Sequence, residues 1–127
     1  MKITLLAIGK TDDKNLQTLI SAYVKRLKHY VPFSFEIIPD IKNSKNLSEK
    51  LQKQAEGQEI LKRLQPSDNL ILLDENGKHY SSVGFSQFLQ KKMNSGLKNL
   101  VFVIGGPYGF SDEIHERANG KISFSSN

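Results

Sequence analysis

The stretch Asn99-Leu-Val-Phe-Val-Ile-Gly-Gly-Pro-Tyr-Gly109 joins a run of branched and aromatic residues to three glycines and a proline. Glycine allows backbone angles and close approaches that other residues deny, whereas proline fixes φ and removes an N–H donor. A loop of this composition can bring main chain directly against a ligand. It can equally be a tight strand-to-helix turn, because the same residues are the usual turn formers. A run apolar at successive positions suits a strand covered on both faces of a parallel sheet, and ligands of such sheets sit beyond the strands' carboxyl ends. The loop with Gly105, Gly106 and Gly109 is thus the first place to look for a ligand, and a valine at Gly105 is expected to obstruct its approach.

Other reactive-looking groupings lead nowhere. Gly9, Lys10 and Thr11 resemble the end of a phosphate loop, but Thr4 stands where that loop needs its first glycine. No G-x-G-x-x-G follows a strand, and Gly109-Phe-Ser111 lacks the final glycine of a nucleophile elbow. His29, His79 and His115 are scattered, and Asp112 with His115 on one helix face supplies two ligands without a third, so no metal is expected. Asp74 and Glu75 are adjacent and read as turn residues rather than an acid–base pair.

The net charge of +5 lies wholly in the first half of the chain. Lys25, Arg26, Lys28 and His29 cluster at one helix end, and Lys42, Lys45, Lys50 and Lys53 follow. Such a cluster is either a phosphate-contacting surface for nucleic acid or a solvated helix face. The 127 residues contain no cysteine, which excludes disulfides and thiolate metal sites and fits a cytoplasmic location. No apolar run approaches membrane-spanning length, so no membrane partner is expected.

These candidates must be positioned by alternating strands and helices. Residues 3–8 read as a strand, followed by a helix with Leu16, Leu19, Ile20, Tyr23, Val24 and Leu27 on one stripe. Residues 33–38 form a second strand. Leu47, Leu51, Ala55, Ile60, Leu61 and Leu64 mark a second helix, weakened at Gly57 unless packing needs the gap. A third strand covers residues 69–73, and residues 74–77 form a turn. Ser81 or Ser82 caps a helix bearing Phe85, Phe88, Leu89 and Met93, which Gly96 stops. After the glycine loop, Ser111 or Asp112 caps a short helix through Asn119, and Lys121 starts a last strand. This β-α order over one domain, residues 1–127, specifies an α/β fold: a mostly parallel sheet with helices on both faces.

Several segments together resemble a known family: Met1-Lys-Ile-Thr-Leu-Leu-Ala-Ile-Gly-Lys10, Tyr23-Val-Lys-Arg-Leu27, Glu56-Gly57, Leu72-Leu-Asp-Glu-Asn-Gly-Lys78, Val103-Ile-Gly-Gly-Pro-Tyr-Gly109 and Ile122-Ser-Phe-Ser125. In order and spacing they are similar to the SPOUT-class large-subunit ribosomal RNA pseudouridine N3-methyltransferases. The resemblance implies a trefoil-knotted α/β domain, a homodimer, S-adenosylmethionine as methyl donor and a pseudouridine of ribosomal RNA in the ribosome as acceptor. It carries the donor site onto Leu73, Gly105, Phe124, Ser125, Ser126 and Asn127, and assigns no catalytic residue. The basic cluster of Lys25, Arg26 and Lys28 is the candidate RNA contact.

Members of that family continue past the last residues of this chain, through a Phe-x-His loop, an arginine-bearing helix and a terminal Tyr-His. Ser126-Asn127 also stands where they carry Lys-Met. The sequence therefore reads as a domain without that segment, its knot incomplete. Three readings follow: an RNA methyltransferase, a cofactor- or RNA-binding fragment without catalysis, and a structural fragment that folds with a partner.

Overall fold

The computed structural model describes residues 1–9, 13–30, 32–41 and 44–124, with the side chains of Ser44 and Phe124 outside the description. Strand β1 (Lys2–Ile8) leads to helix α1 (Lys14–Leu27), β2 (Phe33–Ile38), a short 3-10 turn (Ser44–Asn46) and α2 (Glu49–Lys62). Next come β3 (Asn69–Tyr80), α3 (Ser82–Asn94), β4 (Asn99–Ile104), α4 (Asp112–Arg117) and β5 (Gly120–Phe124). The sheet has the order β2-β1-β4-β3-β5, and every pairing is parallel.

Successive residues of a strand point to opposite faces, and the core divides accordingly. Ile3, Leu5, Ile71, Leu73, Leu100 and Phe102 face α1 and α3, meeting Leu16, Tyr23, Leu27, Phe85 and Leu89. Leu6, Ile8, Leu70, Leu72, Val101 and Val103 face the other way, toward Ile60 of α2 and Ile114 of α4. A strand buried on both faces reads as a continuous apolar run, which is why β4 is so conspicuous in the sequence.

Each helix begins at a side chain that accepts from an otherwise orphaned N–H. Asp13 accepts from Asn15 and Leu16, Ser48 from Leu51, and Ser81 from Gly84. Ser111, rather than Asp112, caps α4 by accepting from Ile114. That helix ends at Arg117, short of the expected Asn119. Asn119 is drawn to β3 instead: its Oδ1 accepts from Leu70 N at 2.8 Å, and its own N–H donates to Leu70 O at 2.7 Å.

Two further expectations change. Residues 74–77 are not a turn that ends β3 but an irregularity inside it, because Leu73 and Lys78 both stand opposite Ile122 of β5. The turn chemistry persists locally, with Asp74 Oδ1 accepting from Asn76 N at 3.0 Å. Leu51 does not belong to the packing face of α2; it is 51% exposed, and Glu56, Gly57 and Ile60 are buried instead. Gly57 is the gap that packing needs: a Cβ there would lie 2.9 Å from Ser111 Oγ and 3.0 Å from Ile114 Cγ1.

Candidate functional site

Beside the carboxyl end of β4, neighbouring strands bring together residues far apart in sequence, although Leu73 lies within β3, which runs on to Tyr80, and not at the strand end expected for it. Leu73 of β3 stands opposite Ile104 of β4 on one side and Ile122 of β5 on the other. Gly105 directly follows Ile104. Two of the expected donor-site residues, Leu73 and Gly105, are thus adjacent across one strand pairing. Phe124 lies further along β5, its backbone opposite Tyr80 beyond the bulge. Ser125, Ser126 and Asn127 lie outside the described residues, as do Lys10, Thr11 and Lys42.

The bulge in β3 is part of this frame. A Cβ on Gly77 would meet Ile122 N at 2.6 Å and Lys121 C at 2.7 Å, so only glycine lets this segment press against the β5 main chain. The sequence marks Gly77 as a turn residue; its contact with β5 depends on a pairing between distant segments.

After Ile104 the chain makes a tight reversal, in which Gly109 N donates to Gly106 O at 3.2 Å and the two glycines form an antiparallel bridge. Gly109 has φ of +82°, a left-handed conformation that favours glycine. Pro107 and the exposed Tyr108 occupy the tip. The expectation for Gly105 is corrected in its reason. A Cβ there would point at the Phe110 ring, 2.8–3.2 Å away, so valine would collide with the core rather than with a ligand's approach. Any ligand contact of Gly105 is made by its main chain.

A crevice of about 520 Å³ opens between the carboxyl ends of β1 and β4, whose following helices leave toward opposite faces of the sheet. Gly9, Leu16, Leu19, Asp40, Gln52 and residues 105–108 line it. Behind this crevice lies a group that sequence reasoning missed. Glu56 is only 3% exposed, its Oε2 accepts from Gln52 Nε2 at 3.2 Å, and its Oε1 has no hydrogen-bond partner among the described residues. Burial pushes its pKa above the usual carboxylate range; the Gln52 hydrogen bond opposes the shift and the negative charge of Asp40 adds to it. The signal was present in the spacing, since Glu56 lies one helical turn before the buried Ile60.

The basic half of the chain does not form one surface. Lys25 and Arg26 line a shallow groove of about 680 Å³ with Ser21, His29 and Ser82, and the Arg26 guanidinium donates to Ser82 Oγ. Lys28 is exposed just after α1 but does not line that groove. Lys50 and Lys53 belong to α2, on the opposite sheet face, where they border a groove with Asp112 and Glu113 of α4. Asp112 and His115 gain no third ligand: no group of three metal-binding side chains occurs among the described residues. No helix among those residues is long and apolar enough to cross a membrane.

A parallel α/β sheet, with a glycine loop at the carboxyl end of β4, agrees with comparison to known sequences. The family model described as "Predicted SPOUT methyltransferase" matches residues 1–127, and the chain belongs to that family. Among individual relatives, the protein of Flavobacterium johnsoniae named "Ribosomal RNA large subunit methyltransferase H" is 67% identical over 125 residues, covering 98% of this chain and 80% of its own. Proteins with the same name from Christiangramia forsetii and Bacteroides thetaiotaomicron are 59% and 50% identical, each over 98% of this chain and 80% of theirs.

Proposed function

We propose that the protein methylates N3 of a pseudouridine in large-subunit ribosomal RNA, with S-adenosylmethionine as donor. The carrying observation is that Leu73 of β3, paired with both β4 and β5, lies beside Gly105 at the carboxyl end of β4, on a chain belonging to the SPOUT methyltransferase family. The names of the relatives support ribosomal RNA as the acceptor class. The donor site comprises Leu73, Gly105 and the segment Phe124, Ser125, Ser126 and Asn127 carried over from the resemblance.

The described geometry fits a small cofactor held by main chain. The end of β4 and the glycine loop after it offer N–H and C=O groups without intervening side chains, as sites with few placed polar groups require. When bound, S-adenosylmethionine supplies a methyl group already activated on a positively charged sulfur, so the transfer calls for alignment of donor and acceptor more than for acid–base power. Leu73 and Gly105 would hold the donor on a rigid frame, because β3 is paired on both sides at Leu73. Lys25, Arg26 and Lys28 contact RNA phosphates, which orients the nucleic acid without reading its sequence. The working unit is a homodimer that acts on the ribosome in the cytoplasm.

Calorimetric titration with S-adenosylmethionine and methyl transfer to ribosomes from a strain lacking the activity test this reading. Donor binding with methyl incorporation at a pseudouridine supports it. A folded protein that neither binds the donor nor methylates such ribosomes refutes it.

A further inference from the structure

The buried carboxyl of Glu56 has no part in the donor frame, yet it touches the loop on which that frame depends. A Cβ built on Gly106 would lie 2.6 Å from Glu56 Oε2, 2.8 Å from Oε1 and 3.0 Å from the carboxyl carbon. The carboxyl therefore packs directly against the Gly106 main chain. This contact explains a glycine that sequence reasoning would reserve for a ligand: at position 106 the missing side chain makes room for Glu56.

The next residue of α2 grips the other end of the same loop. Gly57 stands against Ser111 and Ile114, and Ser111 caps α4. One helical step of α2 thus contacts the chain both where it leaves β4 and where it enters α4, with Pro107 and Tyr108 between. The link continues into the crevice, because Gln52, which donates to Glu56 Oε2, lines it together with Gly106.

A carboxyl is a poor choice for packing alone. It brings a desolvation cost that a methionine or leucine of similar size would avoid, and one of its oxygens is unsatisfied among the described residues. A planar, stiffly held group whose polar end is tied to Gln52 does offer a wedge of defined position. We infer that Glu56 is a positioning residue, whose buried carboxyl, braced by Gln52 and pressed against Gly106, sets residues 105–108 in the conformation that receives the methyl donor. This rests on the reading of that loop as part of the donor site.

The chain contains no tryptophan, so Tyr108→Trp places a single fluorescent reporter at the loop tip. In that background we compare Glu56→Ala, Glu56→Gln, Gly106→Ala and the double substitution Glu56→Ala with Gly106→Ala. Glu56→Met, which keeps the volume, replaces Glu56→Ala should the latter unfold. Acrylamide quenching of Trp emission without any ligand reports the loop, calorimetry with S-adenosylmethionine reports the site, and circular dichroism reports folding.

Removing the wedge is expected to raise quenching and to weaken donor affinity by about tenfold, with Glu56→Gln recovering most of both. Groups in contact should also couple, so the double substitution should cost at least about threefold less than the two single effects multiplied. Unchanged quenching and affinity in folded Glu56→Ala, or single effects that multiply without coupling, overturn the inference. A parent that binds no S-adenosylmethionine but shows the quenching response and the coupling in quenching refutes the proposed function and leaves the positioning role standing.

Discussion

Replacing Gly57 with alanine sets two effects of opposite sign against each other. In a solvent-exposed helix, alanine is favoured over glycine by about 1 kcal/mol. In α2 the new methyl would sit 2.9 Å from Ser111 Oγ and 3.0 Å from Ile114 Cγ1, where ordinary contacts begin near 3.4 Å. Relieving both overlaps requires α4 to move by several tenths of an ångström, and overpacking of this kind costs about 1–3 kcal/mol. Ser111 cannot retreat freely, because the same Oγ caps α4 at Ile114 N, and a lost cap costs about 1 kcal/mol. The unfavourable effects win. Gly57→Ala should destabilise the protein by about 2 kcal/mol, lowering Tm by about 6–10 °C for a chain of this size. Thermal and urea unfolding followed by circular dichroism measure it. A variant as stable as the parent, or more so, would show that α2 and α4 do not approach this closely and would refute the argument.

Gly77→Ala should be harsher, about 3 kcal/mol or more, because the obstacle is the β5 main chain at Ile122 rather than a movable side chain; amide exchange should show loss of protection in β5, and intact protection would contradict the bulge contact. Burial raises the pKa of Glu56, so its contribution to stability is full below the unfolded-state pKa and is lost as pH rises through the higher folded-state value. Glu56→Gln should therefore gain on the parent as pH rises from about 4 to about 8, measured by urea midpoints, and a constant difference across that range would refute the shift. The parent curve alone is a poor readout, because the depressed pKa of Glu59, held by Lys62, acts in the opposite sense. Neutralising Lys25, Arg26 and Lys28 together should weaken binding to ribosomal RNA and reduce the salt slope by about 0.7–0.9 per lost phosphate contact, whereas an unchanged slope would move the RNA surface elsewhere.

The sequence by itself determined the α/β class and the order of its elements, since these are carried by local signals. Residues 33–38 follow the expected strand, Ser81 and Ser111 are among the expected caps, and β4 announces itself by an unbroken apolar run. Family membership was also legible, through motifs that span the chain. Tertiary structure decided what those signals cannot encode. A charged residue in a helix is ordinarily solvated, so the one-turn spacing from Ile60 places Glu56 on an inward face without burying it; the approach of the glycine loop to α2 buries Glu56 and leaves Glu59 partly exposed. The basic half of the chain is contiguous in sequence, but α1 and α2 pack on opposite faces of the sheet, and that separation divides Lys25 and Arg26 from Lys50 and Lys53. Glycines 57, 77, 105 and 106 read alike as breakers or turn formers. Each instead makes room for a different neighbour, Ser111, Ile122, Phe110 or Glu56, because the space beside a glycine is set by whatever distant segment folds against it.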